Sequence, residues 1–146
     1  MITLNRHYVI VPNDYNEAGK ASSDIKRALK QLHYSWDLIK RVSVASYEAE
    51  INIVIHSLGG YADFKIDGDV IYLQFIDDGP GIPDIDLAMR EGYSTASEIS
   101  RLNGFGAGMG LKNIKKAADE MILVSDCNGT VLKLKFRIRE EDKNVG

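Results

Sequence analysis

The chain has 146 residues, 45% of them hydrophobic and 27% charged, with 18 Lys and Arg against 21 Asp and Glu for a formal net charge of −3. This balance sets nucleic acid and anionic membrane surfaces aside as partners. A single cysteine, Cys127, excludes an intramolecular disulfide and a Cys-based zinc site. With no signal-peptide h-region at the start and no apolar run near the ~20 residues of a membrane span, we expect a cytoplasmic protein.

The length is that of one ordinary domain, expected over 1–146 with its core at about 9–138. His7–Val11 reads as a short strand that Pro12 closes. Asn13 or Asp14 is placed to cap a helix over about Tyr15–Leu32, with Ile25, Ala28, Leu29 and Leu32 on one face. Ser35–Ser57 carries strand formers (Val42, Val44, Ile51, Ile53, Val54, Ile55), yet its phase is helical. At about 100° per residue Val44, Tyr47, Ile51, Val54, Ile55 and Leu58 share one arc, with Glu48 and Asn52 beside it.

Gly60–Asp67 and Asp69–Asp77, joined at Asp67-Gly68, carry a hairpin signal of type I′. Asp84–Glu91 reads as a short helix stopped by Gly92, and Met109–Asp119 as a further helix. Met121–Ser125, the Cys127-Asn128-Gly129 turn and Thr130–Ile138 form a second hairpin, and the polar tail from Glu140 is expected to fray. Helices and antiparallel strands segregate, which predicts a two-layer α/β sandwich.

Two glycine segments bear on function. Asp77-Asp78-Gly79-Pro80-Gly81-Ile82 follows an apolar strand, and Gly104-Phe105-Gly106-Ala107-Gly108-Met109-Gly110-Leu111 opens into a helix. Glycine permits close backbone approach, and a helix start offers free N–H groups to an anion. A carboxylate at one end and a phosphate cradle at the other make a nucleotide site. It is no P-loop, since Gly19-Lys20 is followed by Ala21, and no dinucleotide fingerprint, since the sixth positions from Gly104 and Gly106 are Met109 and Leu111.

Glu48, Asn52 and His56 recur at helical spacing. Such a stripe is ordinarily the solvated edge of an amphipathic helix, and His56 is read as a helix-edge histidine. The sharper reading makes Asn52 an oxygen ligand to Mg²⁺ and Glu48 a general base one turn away. Cys127, at a hairpin turn, has no partner pointing to reactivity.

Glu48-Ala49-Glu50-Ile51-Asn52, Asp77-x-Gly79-x-Gly81, Gly106-x-Gly108-x-Gly110-Leu111 and Gly129-Thr130, in that order, resemble the conserved boxes of the GHKL ATPases (gyrase, Hsp90, histidine kinase and MutL; the Bergerat fold). The resemblance runs from about Val9 to Ile138. Within that superfamily the chain is similar to the small bacterial serine/threonine kinases of the anti-sigma-factor and switch type (RsbW, SpoIIAB, RsbT). It implies a histidine-kinase-like fold, a mixed and mostly antiparallel sheet covered on one face by helices, and ATP or ADP with Mg²⁺ as cofactors.

By that resemblance Asp77 takes the adenine amino group, helped by Thr130 through a water, while Gly79, Gly81 and Ile82 line the base. Asn52 coordinates Mg²⁺. Gly104, Gly106, Ala107, Gly108, Met109, Gly110 and Leu111 hold the phosphates, Ser94–Asn103 forms a lid, and Glu48 polarises a protein hydroxyl. The expected partner is a regulatory protein, a STAS-domain protein or a sigma factor, and a homodimer is left open. One departure stands out. Anti-sigma kinases commonly carry arginine where this chain has Gly106, and the nearest arginine is Arg101. The alternative is therefore a nucleotide-gated protein-binding module without phosphotransfer, and a simple ATPase is a third reading.

Overall fold

The structure, a computed structural model, describes residues 1–79, 110–126 and 128–144. The expected helix at Asp84–Glu91, the lid Ser94–Asn103 with Arg101, and Gly81, Ile82, Gly104, Gly106, Ala107, Gly108, Met109 and Cys127 lie outside these residues, as does the side chain of His56. In chain order the elements are β1 (Ile2–Ile10), α1 (Lys20–Gln31), α2 (Trp36–His56), β2 (Gly60–Asp67), β3 (Val70–Asp78), α3 (Gly110–Ala117), β4 (Glu120–Asp126) and β5 (Gly129–Arg137), then a 3₁₀ turn at Glu140–Asp142.

Among the described residues the strands form one five-stranded sheet in the order β1-β2-β3-β5-β4, with every neighbouring pair antiparallel. Alternation places one set of side chains toward the helices. Across β2, β3 and β5 these stand in register as Ile66–Ile71–Phe136, Phe64–Leu73–Leu134 and Ala62–Phe75–Leu132, all buried. The helices cover this face, with Ile25 and Leu29 of α1, Leu38, Val42 and Ile53 of α2 and Ile114 of α3 closing the core. The expected α+β sandwich is the observed fold. Among the described residues no helix is long and apolar enough to cross a membrane.

Several local expectations are corrected by tertiary contacts. β1 starts at Ile2 rather than His7, because pairing with β2 runs back to Asp67. Helix α1 starts at Lys20, not Tyr15, and neither Asn13 nor Asp14 caps it. Gly19 takes a left-handed backbone (φ +94), and the first N–H groups go instead to a carboxylate from α2: Glu50, 3% exposed, accepts from Gly19, Ala21 and Ser22 at 3.0–3.2 Å. Asp14 serves a local turn, accepting from Glu17 N–H.

Helix α2 matches its predicted span and is capped by Ser35, whose Oγ accepts from Leu38 N–H. The predicted apolar arc is only partly its core face. Its members Ile51 and Val54 are buried along with Leu38, Val42, Ala45, Ala49 and Ile53, while Val44, Tyr47 and Leu58 are exposed. The helix packs against α1 and α3 as well as the sheet, so apolar residues surround most of it and phase alone does not select the sheet side. The first hairpin turns at Gly68-Asp69, with only Gly68 at positive φ (+58), so the geometry is type II′ rather than I′. The tail does not fray from Glu140. Asp142 is buried, accepting from Ser35 Oγ at 2.6 Å and, through its carbonyl, from Ser35 N–H at 2.8 Å.

Candidate functional site

Beyond the last apolar rung of the sheet comes a polar one. Register pairs Gly60 with Asp77, Asp77 with Thr130, and Thr130 with Ser125, on the same face as Ala62, Phe75, Leu132 and Leu123. Asp77 Oδ1 accepts from Thr130 N–H at 3.2 Å, and the hydroxyls of Thr130 and Ser125 are 2.9 Å apart. The strands approach closely here, which demands glycine on either side. A Cβ on Gly60 would collide with the Ile76 carbonyl, and one on Gly129 (φ +145) with the Asp77 carbonyl. Gly79 N–H donates to the Asn128 carbonyl at 2.9 Å beside this rung.

Burial holds the Asp77 carboxyl well above its ordinary value of 3.8, at about 6. The Thr130 N–H opposes that rise and the neighbouring Asp78 charge adds to it. A half-buried acceptor at the end of an apolar floor, with hydroxyls in its row, can bind a flat heteroaromatic ring that carries an N–H donor at its edge.

The second cluster joins α2 to α3. Glu48 and Asn52 are one turn apart, and Gly110 sits against both. A Cβ there would lie 3.3 Å from Glu48 Oε2 and 3.3 Å from Asn52 Oδ1. Burial raises the Glu48 carboxyl, and a hydrogen bond with the Asn113 side chain counters it. Leu111, next along α3, is buried at the start of that helix. The two clusters share one end of the layer: Leu58, just beyond α2, donates to the Asp78 carbonyl, and Asp78 N–H donates to Gly59. Asn52 lies one turn, about 6 Å, back along the helix from its last residue, His56. Two side-chain oxygens beside a position with little room for a side chain suit a hard cation, which can in turn hold an anion.

A family profile described as histidine kinase-, DNA gyrase B- and HSP90-like ATPase matches residues 36–140, which span both clusters. The chain belongs to this ATPase family. Its domain binds ATP or ADP. Relatives include the anti-sigma F factor of Geobacillus kaustophilus (strain HTA426), 31% identical over 115 residues covering 74% of this chain and 75% of that protein. The anti-sigma F factor of Halalkalibacterium halodurans is 31% identical over 114 residues, 73% of this chain and 75% of that protein. In fold the chain is similar to the crystal structure of the RsbU and RsbW domains of Rv1364c from Mycobacterium tuberculosis, with a TM-score of 0.65 at 17% identity over 99% of this chain and 35% of that one.

The structure thus brings together Glu48, Asn52 and Gly110 in one group and Asp77, Thr130 and the backbone of Gly79 in another. Sequence reasoning missed Ser125, Asn113, Gly60 and the capping role of Glu50. The register of the second hairpin could have found Ser125, which faces Thr130 across the turn. Nothing in the sequence signals the partner of Glu50, which lies 28 to 31 residues away.

Proposed function

We propose that this ATPase-family chain is an ATP·Mg²⁺-dependent protein serine/threonine kinase of the anti-sigma-factor or switch type, acting on a regulatory partner such as a STAS-domain protein. The observation that carries the reading is the packing of Glu48 and Asn52 together against Gly110, with the Glu48 carboxyl raised by burial. A base with that elevation keeps enough proton affinity to accept the proton of a serine or threonine hydroxyl during attack on the γ-phosphorus. As that bond forms, the bond from phosphorus to the β–γ bridging oxygen breaks and ADP leaves.

Asn52 Oδ1 would provide one protein ligand to Mg²⁺. Among the described residues no group of three or more His, Cys, Asp or Glu could hold a metal by itself, so phosphate oxygens and water would complete the shell. The cation, when bound, neutralises charge on the phosphates. Space is kept for them by the missing side chain at Gly110, and Asp77 with Thr130 would hold the adenine edge. The anti-sigma F factors among the relatives support a sigma factor or its antagonist as the class of partner.

Gly106, where related kinases carry arginine, favours a second reading: a nucleotide-gated binding module that transfers no phosphate. Phosphoserine or phosphothreonine formation on a co-encoded STAS protein separates the two. For the kinase, Glu48→Gln keeps ATP affinity within a few-fold and cuts phosphotransfer by roughly 10²–10⁴. Absence of phosphoprotein with the wild type, together with ATP-dependent partner affinity, would establish the module instead.

A further inference from the structure

We infer that Ser125 is a specificity-determining positioning residue, which orients the Thr130 hydroxyl so that the site reads adenine rather than a 6-oxopurine. The inference deepens the proposed function and rests on the adenine role given there to Asp77.

The geometry is a row of three polar side chains across β3, β5 and β4, each opposite the next in register. Asp77 uses Oδ1 to accept the Thr130 N–H, and a carboxylate has a second oxygen with which to meet a ligand. Thr130 is 9% exposed, so its hydroxyl has few surroundings to choose among. Ser125 Oγ lies 2.9 Å from Thr130 Oγ1, and either oxygen could be the donor. The ligand chemistry chooses between these arrangements.

Adenine presents an amino donor and, beside it, a ring-nitrogen acceptor. A carboxylate satisfies the amino group, and the ring nitrogen then needs a hydrogen donor, directly or through a water. Thr130 can supply that hydrogen only if its lone pair takes the Ser125 hydrogen instead of its own hydrogen going to Ser125. Ser125 is therefore the donor of the pair and holds the Thr130 rotor in its donating state. Hypoxanthine reverses both features, with an oxo acceptor and a ring N–H donor. The Asp77 oxygen then meets another acceptor, and a fixed Thr130 donor meets an N–H. Freeing the Thr130 rotor removes the second of these mismatches.

The test is calorimetric titration of ADP and IDP into the full chain. Ser125→Ala should weaken ADP by about 3- to 10-fold, as expected for one net hydrogen bond, while leaving IDP unchanged or slightly tighter, so the ADP:IDP ratio narrows. Ser125→Thr retains the hydroxyl and should keep the wild-type ratio. Asp77→Asn, run alongside, should narrow the ratio further. An unchanged ratio for Ser125→Ala while Asp77→Asn narrows it overturns the role of Ser125 and leaves the base assignment standing. Equal weakening of both nucleotides that Ser125→Thr does not repair assigns Ser125 to packing and likewise overturns the inference. If Asp77→Asn leaves the ratio untouched, the adenine assignment falls and the inference falls with it.

Discussion

Replacing Asp77 with Asn should make the nucleotide-free protein more stable and the nucleotide complex weaker. Burial lifts the Asp77 carboxyl from 3.8 to about 6, so at neutral pH the fold carries an ionised group that its surroundings disfavour. The gap, at about 1.4 kcal/mol for each pH unit, sets a ceiling of roughly 3 kcal/mol on that cost. The group is only half-buried, and screening by solvent reduces the figure to about 1 kcal/mol. Asparagine keeps an oxygen for the Thr130 N–H and removes the charge. For a chain of this size about 1 kcal/mol corresponds to a rise of roughly 3 °C in Tm.

The sign follows from linkage. The folded-state value lies above the unfolded one, so the cost is fully present above about pH 6 and disappears as pH falls through 3.8. Thermal denaturation without nucleotide should therefore show Asp77→Asn ahead of wild type at pH 8, with the difference closing between pH 6 and pH 4. ADP titration at pH 8 should show the opposite, a loss of about 1.5–3 kcal/mol, or roughly 10- to 150-fold, because the asparagine oxygen stays with the Thr130 N–H and its NH₂ faces the adenine amino group, so the charge-assisted hydrogen bond is lost. Wild-type ADP affinity should itself fall as pH drops below about 6. A variant less stable than wild type at pH 8, or one with unchanged ADP affinity, would refute the reasoning.

Asn52→Ala should abolish the dependence of ATP affinity on Mg²⁺, measured by titration with and without excess chelator; equal wild-type binding in both conditions counts against the metal role. Gly110→Ala should change stability by less than about 1 kcal/mol, the helix preference of alanine being offset by the crowding of Glu48 and Asn52, while weakening ATP by about 3- to 10-fold as the new Cβ takes the space beside those side chains. Urea denaturation and fluorescent-nucleotide titration report the two effects, and unaltered ATP binding would show that the space at Gly110 is not needed. Glu50→Ala should cost about 2–4 kcal/mol of stability in urea denaturation, because three buried N–H groups lose their acceptor; a loss under about 1 kcal/mol would mean that water replaces the carboxylate readily.

The readable parts of this protein are those whose cause lies within a few residues. The helical phase marks α2 between Ser35 and Ser57, and Gly68 and Gly129 mark two hairpins whose alternating residues state which face is apolar. Local spacing also places Glu48 and Asn52 on one helical edge, and Asp77 at the end of an apolar strand. Contacts between distant segments decided the rest. β1 gains its first residues from pairing with β2, α1 begins where Glu50 of α2 receives its N–H groups, and α2 turns its Leu38–Ile53 side inward because three neighbours share its apolar surface. Ser125 reaches Thr130 through its own hairpin, but the row extends to Asp77 only because β5 pairs with β3. A helix or a turn is closed by neighbours in the chain, whereas a cap donated from afar, or a row across strands, exists only once the sheet has set its register and the helices have settled on it.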